Sequence, residues 1–312
     1  MSYKTIHHLS DDRVNYAWDR SVPPILEVQP GEVVEVVTRD ASDRQLGPDS
    51  APEDIEKVSF DHVNAITGPI AIAGARPGDV LQVEILDLKP GEWGWTGVFP
   101  GFGLLTDDFP AHHCKIWDLA GGDRAEFAPG ISVPFAPFCG VIGVAWDAEG
   151  SFSIIPPGPH GGNLDVKHLT AGTTLYLPVA LPNAIFSIGD GHAAQGDGEV
   201  CGTAIECPMH VTLRFDIRRD FSIASPQFMT SGPLDRRTNT AGYYATTGVA
   251  PDLMEAAKAA TRAMIDYLCR THGLAPVDAY MLCSVAADLR ISEVVDAPNW
   301  VVSACLPLSI FR

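Results

Sequence analysis

The sequence predicts an α+β fold that is mostly β, sandwich-like or barrel-like, with a pair of helices near the C-terminus. Two observations lead to this prediction. The 29 glycines and 25 prolines separate short apolar runs instead of forming one linker, which is typical of strands joined by turns. From residue 251 onward, apolar residues recur at spacings of three and four, the pattern of an amphipathic helix. We expect one unit over residues 1–312, β-rich over 1–250 and α/β over 251–312.

The strands are predicted from a recurrent Pro-Gly turn. Pro30–Val37 and Pro77–Ile85 each place such a turn before an apolar run. In the second run, residues 81, 83 and 85 are apolar and alternate with residues of mixed polarity, the period of a half-buried strand. A weaker copy leads from Ala171 and Gly172 into Thr173–Val179. We therefore expect three strands that each begin at a tight turn.

The helical pair is predicted from its boundary residues. The first helix should extend for about 20 residues, with Pro251 in its first turn, Asp252 near its positive end and Gly273 as a left-handed stop. The second helix should begin near Pro276. Two strands are expected to follow, at 291–295 and 300–305.

Composition excludes several classes of partner. The chain has 21 Lys and Arg against 39 Asp and Glu, a formal net charge of −18, which disfavours nucleic acids and anionic lipid. No apolar run approaches the roughly 20 residues of a membrane helix, and no export signal is visible. The 7 cysteines form no C-x-x-C pair, so we expect reduced thiols. The sequence predicts a cytoplasmic protein without nucleic-acid or membrane partners.

Polar side chains and glycines concentrate in two clusters, at 156–165 and 189–206. The first cluster offers the ring nitrogens of His160 and the oxygens of Asn163 and Asp165. Its glycines would let the backbone bend sharply or approach a ligand closely. A glycine-rich loop with solvated acids is the alternative interpretation.

The second cluster contains a spacing that suits a metal ion. Asp190 and His192 are two residues apart, and in an extended strand such residues project to the same side. Zinc accepts mixed nitrogen and oxygen ligands and keeps one position open for water at a catalytic site. Glu199 could take a proton from that water. The alternative is a loop whose histidine caps a backbone group.

Other candidates have a functional and a structural interpretation. The sequence contains no G-x-S-x-G, H-E-x-x-H, P-loop or EF-hand pattern. Cys114, preceded by two histidines, could be a nucleophile, but alternating burial along a strand explains the triplet better. Trp93, Trp95 and Phe99 could line a pocket mouth or belong to an aromatic core or interface.

Five blocks, taken together, identify a family. They are Thr67–Ile70, Gly74–Leu81, Gly158–Asp165, Gly189–Val200 and Ala279–Leu289. With these blocks the sequence resembles the acetamidase/formamidase family, over nearly the whole chain and in family order. The resemblance implies an acetamidase/formamidase-type β-rich fold. It also implies a metal-containing homo-oligomer that hydrolyses a small aliphatic amide, such as formamide or acetamide, to a carboxylate and ammonia.

Within the matched motifs we assign a role to each candidate residue. We expect metal ligands at Asp165, Asp190 and His192, a catalytic base at Glu199, substrate-binding side chains at His160, Asn163 and Gln195, and Glu206 as a substitute ligand. The cofactor is expected to be a divalent metal, with zinc favoured and calcium compatible.

Two other functions stay open from the sequence. One is an amidohydrolase for a larger or cyclic amide, which would enter past Trp93 and Trp95. The other is a non-catalytic β module in which the same loops hold a structural ion. The apolar segment Leu306–Phe311 could dock on a partner subunit or on the core of its own chain.

Overall fold

The computed structural model describes residues 6–232, 234 and 241–311, and strands dominate it. The helices are α1 (Leu253–His272) and α2 (Pro276–Ala286), with short 3-10 turns at Pro52–Lys57, Phe60–His62 and Leu308–Ile310. The strands are β1 (Ile6–Leu9), β2 (Val14–Asn15), β3 (Ala17–Trp18), β4 (Leu26–Val28), β5 (Val33–Thr38), β6 (Ile66–Ile72), β7 (Val80–Pro90), β8 (Trp93–Val98), β9 (His113–Asp118), β10 (Arg124–Ala128), β11 (Ile131–Pro134), β12 (Phe138–Val144), β13 (Phe152–Ser153), β14 (Gly161–Asn163), β15 (Thr174–Pro178), β16 (Phe186–His192), β17 (Met209–Arg218), β18 (Gln227–Met229), β19 (Tyr243–Ala250), β20 (Asp288–Glu293) and β21 (Trp300–Pro307).

Two large sheets form the body of the fold. The first has the order β1-β5-β17-β7-β15-β18, and the second has the order β14-β12-β16-β6-β2 with β4 paired to β6. Their inner faces contribute to one apolar core, in which the ring of Phe186 on β16 lies 5.0 Å from that of Phe215 on β17, centroid to centroid. The predicted mostly-β, sandwich-like class is confirmed.

The three strands predicted from the recurrent turn are β5, β7 and β15, and all lie in the first sheet. On β7 the side chains of Leu81, Val83 and Ile85 are buried, as the alternation indicates. β7 continues to Pro90, because β17 pairs with it along its whole length. The sequence pattern ended too early because pairing with a neighbouring strand extends β7 beyond its apolar alternation.

The predicted helical pair is also present, with a small correction at its start. α1 begins at Leu253, so Pro251 lies outside it, and the Asp252 carboxylate caps it by accepting from the backbone N–H of Met254 and Glu255. Gly273 ends the helix with φ of 68°. The helix packs against β19 at Gly248, where a Cβ would lie 1.9 Å from a carbonyl oxygen of α1.

The last part of the chain folds back on its own core. β20 begins and ends earlier than predicted, at Asp288–Glu293, and β21 extends to Pro307. The side chains of Leu306 and Ile310 are fully buried within the chain. The apolar end therefore docks on its own core. Among the described residues, no helix is long and apolar enough to cross a membrane.

Candidate active site

The centre of the site lies at the end of β16, in the sequence Gly189-Asp190-Gly191-His192. Side chains of Asp190 and His192 project to the same side, with the carboxylate Oδ2 3.4 Å from the imidazole Nε2. On the other side, a Cβ at Gly189 or Gly191 would lie 2.4 or 2.6 Å from a backbone oxygen of a neighbouring segment. The alternation of glycine and polar residues thus packs one face closely and presents two chelating groups on the other.

Glu206 completes this strand-borne half of the site. Its backbone pairs with those of Trp95 and His192 through isolated bridges. One carboxylate oxygen accepts from the Ala204 N–H at 2.7 Å, and the other lies 3.0 Å from His192 Nε2. Since the backbone is paired on both sides, the position of this carboxylate is fixed by the sheet.

Two carboxylates from loops form the other half. Asp165 follows β14, Glu199 follows β16 by seven positions, and their carboxylates face the same imidazole. The ligand atoms of Asp165, His192 and Glu199 lie within 4.8 Å of one another, as do those of Asp190, His192 and Glu206. One buried imidazole therefore belongs to both groups of possible ligands.

The backbone is strained at these positions. Asp165, Asp190 and Glu199 have φ of 49°, 58° and 43°, and nearby Asn64 has φ of 51°. A non-glycine residue in this left-handed region costs about 1–3 kcal/mol, and such residues gather at functional sites. The fold thus holds the backbone of these residues in conformations that they would rarely adopt in a free loop.

Gly140 on β12 provides the floor of the cluster. A Cβ at this position would lie 2.4 Å from Asp165 Oδ1, 2.6 Å from Asp190 Oδ2 and 2.8 Å from His192 Cε1. Carboxylate oxygens from two distant segments can converge here only because no side chain occupies the space.

Gln195 fixes the orientation and tautomer of His192. Its amide nitrogen donates to the backbone carbonyl of Asp165 at 2.9 Å, so its oxygen faces His192 Nδ1, also at 2.9 Å. That oxygen can only accept, which places the proton of a neutral imidazole on Nδ1. The lone pair on Nε2 then points toward the carboxylates.

Burial shapes the protonation of the acids. It raises the pKa of Asp165 and of Glu206 to about 7, and it raises the pKa of Glu199 well above its ordinary value. Burial disfavours the imidazolium of His192, but the Glu206 and Asp190 carboxylates outweigh it and raise the His192 pKa. The described residues that line the adjoining cavity include no Lys or Arg. The negative charge of the cluster therefore needs protons or a cation.

The donor set fits a divalent metal ion. Asp165 Oδ1, His192 Nε2 and Glu206 Oε2 are buried without a hydrogen-bond partner. With the neutral tautomer set by Gln195, two acceptors, Nε2 and Glu206 Oε2, face each other at 3.0 Å. Imidazole and carboxylate ligands are those that zinc accepts. Candidate ligands are therefore present, as the sequence predicts.

A cavity of about 390 Å³ opens above the cluster. Its polar lining includes Asn163, whose buried Oδ1 has no partner, and Asn64, whose amide nitrogen lies 3.5 Å from Asp190 Oδ2. Its apolar lining includes four aromatic rings, those of Phe60, Trp95, Phe99 and Phe102, beside aliphatic side chains. A small polar group could reach the acids while an apolar group contacts the rings.

The structure brings most of the sequence-predicted residues together. Six of them line or surround the cavity floor: Asn163, Asp165, Asp190, His192, Glu199 and Glu206. Gln195 contacts His192 instead of lining this cavity. His160 does not line it either, and its ring stacks on Trp146 at 4.6 Å.

Two residues of the site were missed from the sequence. Asn64 lies just before the Thr67–Ile70 block and could have been noticed for its amide next to that motif. Gly140 lies in an apolar run, and nothing in the sequence distinguishes it from a packing glycine.

The remaining candidates, Cys114 and Trp95, differ in their relation to the cavity. Cys114 is buried on β9, and burial raises the pKa of its thiol to about 12, so it is not a ready nucleophile. Trp95 belongs both to an aromatic core and to the cavity wall, the two positions considered from the sequence. It is buried in an aromatic cluster, its Nε1 donates to Asp40 Oδ1 at 3.1 Å, and its ring lines the cavity.

Fold and site together define a mostly-β protein with a buried carboxylate and imidazole cluster beneath an apolar cavity. The model of the Acetamidase/Formamidase family matches residues 3–150 and 147–312. The chain belongs to this family, and the resemblance seen in the sequence is confirmed.

Three relatives illustrate the similarity. The formamidase of Methylophilus methylotrophus is 28% identical over 373 aligned residues, which cover 97% of this chain and 90% of the relative. The gamma lactamase from Delftia acidovorans superposes with a TM-score of 0.89 at 26% identity, covering 96% of this chain and 89% of its own. An acetamidase from Bacillus halodurans gives a TM-score of 0.69 at 33% identity, with 97% of both chains covered.

Proposed function

We propose that the protein hydrolyses a small amide to a carboxylate and ammonia. The observation that carries this proposal is the convergence of four carboxylates on His192 at the floor of a largely apolar cavity. Those of Asp190 and Glu206 are buried, and those of Asp165 and Glu199 are half-buried. Membership of the Acetamidase/Formamidase family and the similarity to a formamidase support the same reaction.

Asp165, Asp190 and His192 would hold a divalent cation, with Glu206 as a further ligand. When bound, that cation supplies Lewis-acid polarisation of the amide carbonyl and of water. Zinc suits the mixed nitrogen and oxygen set, and calcium is compatible with its carboxylates. Gln195 holds Nε2 of His192 toward the site, as described above.

Glu199 is the proposed proton carrier. Its carboxylate Oε1 lies 4.0 Å from His192 Nε2, and its pKa is raised, mainly by burial. It would accept a proton from water as the water oxygen bonds to the carbonyl carbon. It would return that proton to the nitrogen as the C–N bond breaks and ammonia leaves. Asn163 carries both a donor and an acceptor and can position the substrate amide.

Ammonia release from formamide, acetamide and propionamide tests the proposal. The purified protein is assayed as isolated, after a chelator, and after add-back of zinc, manganese or calcium. We expect release that falls with the chelator and returns with a metal. The His192→Gln variant should stay inactive after metal add-back. His210→Gln, a matched change at an exposed residue of β17, should behave as wild type.

The opposite results would overturn this proposal. If ammonia release is unchanged both by the chelator and by His192→Gln, the metal mechanism is excluded. A folded, metal-loaded protein that releases no ammonia from any of the three amides would exclude the small linear substrate.

A second candidate is hydrolysis of a cyclic amide. The aromatic lining from Phe60, Phe99 and Phe102 offers more apolar contact than formamide can use, and the gamma lactamase superposes on nearly the whole chain. Opening a lactam breaks the same C–N bond, but the amine stays on the product and no ammonia forms. Incubation with 2-pyrrolidone should then yield a new primary amine without ammonia.

Substitutions on the cavity wall distinguish the two candidates. Phe102→Ala should reduce lactam opening more than formamide hydrolysis if the ring contacts the cyclic substrate. Phe228→Ala, at an exposed phenylalanine of β18 outside the cavity, is the matched control. Equal effects of Phe102→Ala on both substrates would argue against the cyclic one.

We also propose a cytoplasmic homo-oligomer. All seven cysteines lie in described residues and none is paired, which suits a reducing compartment. Light scattering on the purified protein tests the oligomer, and a mass equal to one chain would exclude it.

A further inference from the structure

The two loops that carry Asp165 and Glu199 are joined by a buried ion pair. Lys167, two residues after Asp165, extends its ammonium to the Asp288 carboxylate at the start of β20. Side chains of Lys167 and Asp288 are only 13% and 3% exposed. The pair is therefore largely shielded from solvent. It does not line the cavity above the cluster, but both residues line a separate cavity of about 290 Å³.

Asp288 also holds the loop that leads to Glu199. Its Oδ1 accepts from the backbone N–H of Asp197 at 3.2 Å. The Leu289 N–H donates to the Asp197 carbonyl at 2.9 Å, and the Lys167 ammonium lies 3.5 Å from the Asp197 carboxylate. Asp197 is thus held on its backbone by Asp288 and Leu289 and on its side chain by Lys167.

The fit of this loop is tight. A Cβ at Gly196 would lie 2.0 Å from the carbonyl oxygen of Ala287, the residue before Asp288. The Gly196 N–H donates to the Ser284 carbonyl of α2 at 2.8 Å, and the Glu199 N–H donates back to the Gly196 carbonyl at 3.2 Å. The loop at residues 195–199 therefore packs against the end of α2 and the start of β20.

We infer that Lys167 and Asp288 are positioning residues that clamp the Asp165 loop and the Glu199 loop into one geometry. This inference rests on the proposed function for its catalytic consequence. The ion pair contacts neither the cavity above the cluster nor the imidazole of His192, so it acts on the site through the two loops. Groups that orient metal ligands from behind are typically worth about 10–100-fold in metal affinity or activity.

Lys167→Met tests the clamp, because it keeps the length of the side chain and removes the charge. Arg214→Met is the matched control, since Arg214 forms a half-buried ion pair with Glu84 between β17 and β7, outside the cavity. Lys167→Arg keeps a cation and should therefore retain most of the loop protection, zinc affinity and activity of wild type. Each variant is compared with wild type by hydrogen exchange, by zinc titration of chelator-treated protein and by kcat and KM on the best amide.

For Lys167→Met we expect faster exchange in peptides covering 163–169 and 195–201, with other peptides unchanged. Zinc affinity or kcat should fall by about 10–100-fold while KM changes little. Arg214→Met should leave all three readouts unchanged, and Lys167→Arg should restore most of the loss.

Unchanged exchange in both loops of Lys167→Met would overturn the clamp, as would equal losses in Arg214→Met. Failure of the proposed function gives a different result. In that case wild type hydrolyses no amide and binds no zinc, while hydrogen exchange still decides whether Lys167 holds the loops. If Lys167→Met does not fold, Asp288→Asn, which keeps an acceptor for the Asp197 N–H, replaces it.

Discussion

The strand-borne half of the site and the loop-borne half reach the same imidazole by different means. Asp190 and His192 lie on a strand paired on both sides, and Glu206 is bridged to Trp95 and His192. Asp165 and Glu199 lie in loops outside the named strands. Gln195 donates to the backbone carbonyl of Asp165, and on the inference above the Lys167 and Asp288 pair holds both loops.

The difference separates two kinds of positioning. A sheet fixes its side chains through the backbone ladder, so a ligand pair on one strand is fixed as soon as the strand pairs. A loop carboxylate needs contacts from distant segments, and each contact is a place where the site can be loosened. The strand-borne half suits ligands that stay in place. In the loop-borne half, Asp165 would complete the ligand set, and Glu199 is the group proposed to exchange a proton.

The largest expected effect distinguishes the roles of the two halves. Glu199→Gln removes the proposed base while keeping the shape of the side chain, so kcat should fall by about 10²–10⁴-fold with zinc affinity retained. Glu206→Gln in the strand-borne half should instead weaken zinc binding. Steady-state kinetics and zinc titration of both variants measure the contrast. If Glu199→Gln lost zinc and kept kcat at saturating metal, the two assignments would be reversed.

The next effect tests whether both halves need the same floor. Gly140→Ala places a methyl group against the carboxylates of Asp165 and Asp190, which must move apart. Packing an extra methyl into a filled site costs about 1–3 kcal/mol, so both zinc affinity and stability should fall. Gly47→Ala, with open space around its Cβ, is the control. Wild-type zinc affinity in Gly140→Ala would show that the oxygens need not converge at Gly140.

A smaller effect concerns His160, which the sequence placed at the substrate. Its ring is buried with neither nitrogen hydrogen-bonded, and burial lowers its pKa from 6.5 to about 4. Between these values the unfolded chain binds a proton that the folded chain does not. The His160 contribution to stability is therefore present above pH 6.5 and is lost as the pH falls toward 4.

His160→Phe should remove this pH dependence and leave the stacking on Trp146. Urea unfolding of wild type and variant at pH 7.5 and pH 5 measures it, with wild type losing more stability on acidification by a few kcal/mol at most, on the order of the shift. Amide KM should be unchanged, because His160 does not line the cavity. A raised KM would instead support the substrate-binding role expected from the sequence.

Much of the fold could be predicted because its signals are local. The alternation along β7, the Asp252 cap and the Gly273 stop each act within a few residues, so the chain alone contains them. Strand ends were less predictable, because the lengths of β7 and β20 are set by pairing with the neighbouring strands β17 and β21.

The site divides in the same way. The spacing of Asp190 and His192 predicts their common direction because strand geometry alone determines it. Nothing local shows that Gly140 leaves room for two carboxylates, that Gln195 orients the imidazole, or that His160 faces Trp146. Most of these relations join residues that are far apart in the chain. Gln195 is close to His192 in sequence, but its orientation depends on the distant backbone carbonyl of Asp165.

The sequence by itself determined the mostly-β class, the helical pair, the family and most of the residues that the structure brings together at the candidate site. It could do so because periodicity, caps and motif blocks are properties of neighbouring residues. Only the tertiary structure decided which acids converge, which histidine faces the cavity and what holds the loops. Those outcomes depend on distances between segments, and in a chain such distances are set by packing.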